Sequence, residues 1–217
     1  LMITKQEADQ SDSFLAQGGI CMLRGEDDYN DYFEDTMRAG HYENDKKAVD
    51  LMIRSSNSII RDLLQRNVTF ARTPDGELDF TREGAHSRPR ILYHEDITGK
   101  EISEKLLQQM LKLDNVTILE YTTMQDILVE NDKCAGLKAV SAEGNRDRLK
   151  AMEAGNAVKI QEEIQPGGEI QVEIYAQDTI LASGGIGGKY EHSTNYPHLT
   201  GDALDIAKKH NVRLEHL

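Results

Sequence analysis

The sequence predicts an α/β fold that carries an antiparallel β insertion ahead of its last helix. Strand-like and helical patterns alternate over roughly the first 120 residues, short strand candidates then cluster at about 122–175, and a glycine-rich turn leads into a final helix. The chain has 217 residues, 38% of them hydrophobic and 29% charged. That length and composition are enough to bury a core in one large domain or two small ones.

The first half of the chain supplies most of the helices. Residues 1–5 form an apolar run that predicts a strand, and residues 31–39 predict a short helix. Residues 45–66 place apolar side chains at helical spacing, which predicts a long amphipathic helix. Thr98 and Glu101 are spaced as in a capping box, so we expect a further helix to begin near Thr98.

The second half is mainly β in pattern. Strand candidates lie at 116–120, 124–130 and 135–140, and a hairpin is expected from 158–164 and 170–175 with its turn at 166–169. Residues 141–157 are charged and at best weakly helical. Residues 179–182 predict a short buried strand, and Thr200 predicts the cap of a helix ending near His210.

Charge and cysteine usage exclude several function classes. The net charge of −13 disfavours nucleic acid and anionic membranes as partners, because such surfaces need clustered lysine and arginine. No apolar run is long enough to span a bilayer. The two cysteines are far apart, which disfavours a disulfide scaffold and fits a reducing cytoplasm. The seven histidines lack metal-ligand spacing, so no metal site is expected.

Both ends of the sequence look like the interior of a fold. The chain opens on an apolar run at 1–5 and closes on a strand-like run at 212–217. Natural termini are usually more polar. We therefore expect this sequence to be an internal segment of a longer protein.

Three glycine-containing segments are candidate ligand contacts, at 16–19, 181–185 and 200–203. Glycines let a ligand approach the backbone, and ligands of open α/β sheets bind at the carboxyl ends of strands. Each segment also has an ordinary structural interpretation, as a turn before a helix, a strand-to-loop turn, or a helix cap with Asp202 in the first turn. No GxGxxG follows a strand, so spacing alone supports nucleotide binding weakly.

A basic segment at 81–90 stands out in this acidic chain. It gathers arginines and a histidine around a single acid, Glu83. One interpretation is a site for an anionic substrate, where Glu83 holds an ammonium group. The other is a solvated loop, which the composition favours.

Taken in order, these segments resemble the succinate dehydrogenase and fumarate reductase flavoprotein family, and residues 81–87 resemble its aspartate oxidase branch in particular. The matching stretches are 11–20, 81–87, 98–101, 182–185, 194–195 and 200–203. The resemblance covers most of the chain and is weakest at 141–172. It implies the Rossmann-like FAD-binding domain of the fumarate reductase flavoprotein type, with residues 1–217 as a partial domain. The first βα unit and the capping domain are then missing, and the insertion is at about 122–175.

The resemblance implies FAD as cofactor, held non-covalently, because Gln17 or a neighbour stands where covalent members carry a flavin-linked histidine. Lys5 is then near the adenosine ribose and Met124 near the adenine. Asp12 stands where asparagine is common in the family. The implied cofactor-binding residues are Lys5, Asp12, Ser13, Ala16, Gln17, Gly18, Gly19, Met124, Ala182, Gly184, Gly185 and Asp202.

The implied activity is the oxidation of L-aspartate to iminoaspartate, with oxygen or fumarate as electron acceptor. It would feed quinolinate and NAD synthesis in the cytoplasm, with quinolinate synthase as a partner. Glu83 and His86 are the implied catalytic residues, Glu83 for the substrate ammonium and His86 in support. Since the phosphate-binding βα turn would precede Leu1, we expect this chain alone to bind FAD poorly and to be inactive.

Two alternatives stay open at this point. The chain could belong to a fumarate reductase or succinate dehydrogenase flavoprotein subunit that acts on dicarboxylates without an amino group. It could also be a non-catalytic α/β binding module, which a flavin spectrum of the full-length protein would exclude.

Overall fold

The computed structural model describes residues 1–155, 158–164 and 168–215. The chain forms two compact units, the first made of Leu1–Asp12 with Leu113–Leu217 and the second of Ser13–Lys112. No helix among the described residues is long and apolar enough to cross a membrane.

Six α-helices and eight strands are described. The strands are β1 (Met2–Ile3), β2 (Ile20–Cys21), β3 (Ile91–Leu92), β4 (Ile118–Leu119), β5 (Thr122–Glu130), β6 (Lys133–Ser141), β7 (Val158–Ile164) and β8 (Ile170–Tyr175). The helices are α1 (Asp12–Leu15), α2 (Tyr29–Ala39), α3 (Lys46–Gln65), α4 (Thr98–Met110), α5 (Arg146–Ala154) and α6 (Asp202–Lys209).

The first unit contains a small parallel pair and a larger antiparallel sheet. Strand β1 pairs with β4 in parallel, Met2 opposite Ile118. The antiparallel sheet has the order β5-β6-β8-β7, so the predicted hairpin of β7 and β8 is present. Its predicted turn at 166–169 lies partly outside the described residues. This sheet occupies the range in which the sequence predicted an antiparallel insertion.

Helix α5 covers the antiparallel sheet where the sequence showed only weak helical signal. Its Leu149 is fully buried together with Val158, Val172 and Leu119. Asn145, just before the helix, donates to Ser141 Oγ at 2.9 Å and to the Glu120 carbonyl at 2.7 Å. Burial of one apolar side chain and these anchoring bonds stabilise a helix that its own sequence barely favours.

The predicted strand at 179–182 is wrong. These residues are irregular, and the side chain of Ile180 is 89% exposed. A β-favouring run forms a strand only when a neighbouring strand pairs with it, and none does so among residues 1–155, 158–164 and 168–215.

The second unit is built on the long helix α3. The carboxylate of Asp45 caps it, accepting from the backbone N–H groups of Lys47 and Ala48 at 2.8 and 3.0 Å. Its apolar face enters two clusters, one with α2 and one with the antiparallel pair β2–β3. The helical spacing in the sequence predicted this amphipathic helix correctly, but not the division of its apolar face between two clusters.

The predicted start of α4 is correct, but the predicted capping box is wrong. Thr98 is the first helical residue, and its hydroxyl accepts from the His94 N–H at 2.9 Å. Glu101 accepts from the Thr69 N–H at 2.8 Å and from the Thr69 hydroxyl at 2.7 Å. Both side chains therefore tie neighbouring loops to α4.

Asp126 joins β5 to the end of α6, and we expect this tie to be pH-dependent. Hydrogen bonds from Lys209 and His210 lower the pKa of Asp126 to about 2. A lowered carboxyl pKa stabilises the fold above the unfolded pKa, and that stabilisation is lost as the pH falls towards 2. Asp126→Asn should cost about 1 kcal/mol at pH 7 and much less at pH 2.5. Urea unfolding of the full-length protein at both values measures this, and an equal cost at both would contradict it.

Candidate functional site

Lys5, Thr200 and Asp202 form a polar cluster in the first unit, although 195 residues separate the first two in sequence. Lys5 follows β1, and its Nζ donates to Asp202 Oδ2 at 2.8 Å and to Thr200 Oγ1 at 2.7 Å. The Thr200 hydroxyl donates to Asp202 Oδ1 at 2.6 Å. The side chains of Lys5 and Asp202 remain 30% and 33% exposed. The structure thus brings together two predicted cofactor-binding residues.

The charge of Asp202 follows from this cluster. Partial burial raises the pKa of Asp202, but the bonds from Lys5 and Thr200 outweigh burial and leave that pKa below its usual value. The predicted helix cap by Thr200 is wrong, because Gly201 occupies the cap position with φ of 72° and no side chain caps α6. The cluster therefore presents an ammonium, a hydroxyl and a carboxylate, and such groups bind sugar hydroxyls.

Asp12 is engaged by a loop of its own unit. Its Oδ2 accepts from Asn195 Nδ2, and its Oδ1 accepts from the Tyr196 N–H at 3.1 Å. Ser193 Oγ in turn donates to Asn195 Oδ1 at 3.0 Å. Asp12 therefore holds the loop at 193–196. Asn195 and Thr200 were not among the predicted site residues, although both lie in stretches that carried the resemblance.

The glycine-rich loop that follows residue 183 has one open side and one tightly packed side. A Cβ at Gly185 would meet no atom within 4 Å, and Ala182 is exposed. A Cβ at Gly187 would lie 2.0 Å from Asn195 Oδ1, so glycine is needed there for packing. Gly184 takes a φ of 72°, which also favours glycine. Beside this loop lies an open depression of about 690 Å³, lined by residues that include Tyr190 and His192.

Met124 is partly buried in β5, opposite Ala139 of β6. The pairing shifts register between Met124 and Asp126. Such a bulge leaves one residue of the strand without a cross-strand partner. The contact between the backbone beside Met124 and the adenine, which the resemblance implies, stays a prediction.

In the second unit, the segment at 13–19 divides into exposed and packed positions. Ser13, Ala16, Gln17 and Gly18 are exposed. Gly19 is different, because a Cβ there would lie 2.2 Å from the Leu92 carbonyl oxygen, so its glycine serves the β2–β3 pairing. A Cβ at Gly18 would lie 3.8 Å from Glu83 Oε2. The glycine segment and the basic segment are therefore neighbours.

The basic segment is neither an open anion site nor a fully solvated loop. Arg90 is completely buried, with its guanidinium 2.7 Å from Asp28 Oδ1 and 2.7 Å from Asp35 Oδ2. Arg88 pairs with Asp27 and Asp31 at 3.0 and 2.7 Å. Acids within α2 and just before it thus neutralise two of the arginines. Sequence reasoning missed this, since the acids are more than 50 residues away.

Glu83 and His86 lie at the exposed edge of this buried ion cluster. Within the described part of the chain the Glu83 carboxylate makes no ion pair. The His86 ring is 3.0 Å from Arg90 Nη1 through Nδ1 and 3.5 Å from Cys21 Sγ through Nε2. A carboxylate that is free of cations can bind an ammonium group.

Within each unit, the predicted residues offer groups that suit a part of FAD. The first unit offers the Lys5–Thr200–Asp202 cluster and the open backbone at Gly185, and the second offers the exposed backbone at Gln17 and Gly18. No group of three or more histidines, cysteines, aspartates or glutamates in the described ranges could hold a metal ion.

Comparison with known proteins gives one consistent result. The model of the family described as "FAD binding domain" matches residues 1–217. An L-aspartate oxidase of Clostridium perfringens (strain 13 / Type A) is 35% identical over 217 residues, which is 100% of this chain and 43% of that protein. The L-aspartate oxidase of Bacillus subtilis (strain 168) is 30% identical over 218 residues, 100% of this chain and 36% of that protein. The chain spans less than half the length of these relatives.

Solved structures share the fold. An E. coli quinol fumarate reductase chain superposes with a TM-score of 0.78 at 24% identity, over 96% of this chain and 32% of that one. A Mycobacterium smegmatis Sdh1 chain gives a TM-score of 0.77 at 23% identity, over 95% of this chain and 33% of that one.

Proposed function

Since this chain belongs to the FAD binding domain family, we propose that it is the flavin-binding part of an enzyme that oxidises L-aspartate to iminoaspartate. Family membership confirms FAD as the cofactor, and the structural neighbours confirm the predicted fold of the fumarate reductase flavoprotein type. The curated relatives named L-aspartate oxidase support the choice of substrate.

The position of Glu83 carries this proposal. Its carboxylate lies beside Gly18 in the predicted cofactor segment, and it makes no ion pair among the described residues. Two arginines of the same basic segment, Arg88 and Arg90, are already neutralised by aspartates. A free acid at this edge attracts an ammonium group and repels a carboxylate. That preference separates an amino acid from succinate.

Bound FAD would supply the redox chemistry as the acceptor of a hydride from the substrate. The residues of this chain bind and orient the substrate and the cofactor. Glu83 holds the substrate ammonium, and His86 lies beside it, with Nε2 facing the weak acceptor Cys21 Sγ at 3.5 Å. In the first unit the Lys5 ammonium and the Asp202 carboxylate hold ribose hydroxyls, and the backbone beside Met124 contacts the adenine ring.

Residues 1–217 form a partial FAD-binding domain with the antiparallel insertion at about 122–175. FAD is held non-covalently, oxygen or fumarate takes the electrons, and the product passes to quinolinate synthase in the cytoplasm. Ser13, Ala16, Gln17, Gly18, Ala182, Gly184 and Gly185 contact the cofactor through backbone groups and short side chains. Asp12 and Gly19 contribute indirectly, by holding the loop at 193–196 and the β2–β3 pair.

Asp202→Ala should leave the full-length protein folded but depleted of flavin. The Asp202 side chain caps no helix; it bonds to Lys5 and Thr200, so its loss removes a polar ligand and costs little helix stability. Flavin absorbance per mole of purified protein measures occupancy, and thermal unfolding measures stability.

The matched control is Asp205→Ala, which removes another acid from the first turn of α6. Asp205 pairs with Lys189 and lies outside the Lys5 cluster, so this variant should keep its flavin. Full flavin occupancy in Asp202→Ala would show that the carboxylate is structural only.

A further inference from the structure

The buried guanidinium of Arg90 makes more contacts than ion pairing requires. Its Nη2 and Nε donate to the two oxygens of Asp28 at 2.7 and 3.2 Å. Its Nη1 donates to Asp35 Oδ2 at 2.7 Å and contacts His86 Nδ1 at 3.0 Å. Arginine carries five N–H donors, has no acceptor and stays charged in proteins. The contact between Arg90 and His86 therefore has only one possible direction.

His86 Nδ1 must accept this hydrogen bond, so it must carry a lone pair. In a neutral imidazole one nitrogen accepts and the other carries the proton. With Nδ1 as the acceptor, the proton is on Nε2. The Nε2–H group points towards Cys21 Sγ at 3.5 Å, where sulfur is a weak acceptor.

We propose that Arg90 is a positioning residue that fixes His86 as the neutral Nε2–H tautomer, so that His86 serves the substrate as a hydrogen-bond donor and not as a general base. The role at the substrate rests on the proposed function. The tautomer itself rests only on the contacts of Arg90. A neutral donor beside Glu83 would let one cluster bind both charged ends of an amino acid, with His86 for a carboxylate oxygen and Glu83 for the ammonium.

The charged and titratable groups around His86 agree with a neutral ring. Burial and the Arg90 charge lower the pKa of His86, while Asp35, Glu83 and Asp28 act in the opposite sense and do not restore it. Burial also raises the pKa of the Cys21 thiol, so Cys21 is no counter-ion for an imidazolium. The Tyr32 ring packs edge-on against His86 with ring centroids 6.1 Å apart. Burial raises the pKa of Tyr32 as well, so its hydroxyl stays uncharged.

Nitrogen NMR on the FAD-loaded full-length protein, labelled with ¹⁵N-histidine, tests the tautomer directly. We expect the His86 signal to show a proton on Nε2 and a bare Nδ1 at pH 7, with titration below the ordinary value of about 6.5. His86→Gln identifies the signal by its disappearance. A proton on Nδ1, or an imidazolium at pH 7, would overturn the proposal. This result does not depend on which substrate the enzyme uses.

Arg90→Lys tests whether Arg90 sets the tautomer. Lysine keeps the charge but lacks the planar fork that reaches Asp28, Asp35 and His86 together. The fraction of His86 in the Nε2–H form should fall, and an unchanged fraction would mean that another group sets it. If Arg90→Lys does not fold, the spectrum of the unmodified protein still tests the tautomer, and the variants His86→Gln and His86→Leu still test the donor role.

His86→Gln and His86→Leu test the donor role. Glutamine supplies an N–H donor but is not a base, whereas leucine supplies neither. We expect the KM for aspartate to stay within about tenfold for His86→Gln and to rise further for His86→Leu, with the pH profile of kcat unchanged in the glutamine variant. Equal loss of kcat in both variants, with loss of the acid limb of the profile, would identify His86 as a base and overturn the inference. Normal tautomer data with no effect of either variant on KM would instead place the substrate elsewhere and count against the proposed function.

Discussion

Replacing Glu83 by glutamine in the full-length enzyme should lower aspartate oxidation by about tenfold or more and leave fumarate reduction unchanged or faster. A unit charge a few ångströms from an ammonium group contributes on the order of 1.4 kcal/mol, and 1.4 kcal/mol is a factor of about ten in rate. Fumarate carries no ammonium group, so removing the carboxylate removes only repulsion. The change keeps the shape of the side chain.

Both activities are measured in one preparation, with flavin content as the internal reference. Glu77→Gln is the matched control, because Glu77 is another exposed glutamate of the second unit and lies outside the basic segment. It should change neither rate. Equal loss of both activities in Glu83→Gln would show that Glu83 only maintains the structure of its loop. It would then favour an enzyme that acts on simple dicarboxylates.

Arg90→Met should destabilise the second unit by about 3–5 kcal/mol, the cost of leaving partners of a buried ion cluster uncompensated. Asp28 and Asp35 are 1% and 3% exposed, so neither can turn to water without rearrangement. Urea unfolding of the full-length protein, followed by a probe in this unit, measures the loss. Arg54→Met is the control, since the Arg54–Asp50 pair is exposed and should contribute far less. Similar costs for the two variants would contradict a stabilising role for the buried cluster.

The stability that the Arg90 cluster contributes should also depend on pH. Burial raises the pKa of Asp35, but the bonds from Ser87 and Arg90 outweigh burial and leave that pKa well below its usual range. A lowered carboxyl pKa adds stability above the unfolded value of about 3.9, and this stability is lost as the pH falls below it. The difference between Arg90→Met and the unmodified protein should therefore shrink in acid.

Local patterns predicted the elements that depend on local forces. Helix α3 has its apolar stripe and its Asp45 cap within one stretch of sequence, and the β7–β8 hairpin joins neighbouring strands. The strand predicted at 179–182 failed because a strand also needs a partner. The capping box at Thr98 failed because Glu101 binds Thr69, 32 residues away, in preference to its own helix end.

The candidate site shows the same contrast between features that local sequence determines and features that need a distant partner. The resemblance indicated Lys5 and Asp202 separately, but no local pattern states that their side chains meet across 197 positions. The pairing of Arg90 with Asp28, 62 residues earlier, was equally invisible, because an arginine in a basic run is usually solvated. Sequence reasoning therefore predicted residue types at the site better than the partners those residues take.

The bonds that hold the loop at 193–196 have a direction, and that direction is set by the residue at position 12. Asp12 can only accept, so Asn195 must donate to it and then offers Oδ1 to the Ser193 hydroxyl. A chain with asparagine at position 12 keeps one acceptor for the Tyr196 N–H and presents an amide donor to Asn195. The Asn195 amide must then rotate by half a turn, and Ser193 Oγ, which already accepts from the Asn195 N–H at 3.1 Å, must accept from the amide as well. A single exchange of oxygen for nitrogen at position 12 thus reverses the direction of these bonds, and Asn195 and Ser193 can follow it by rotating their side chains.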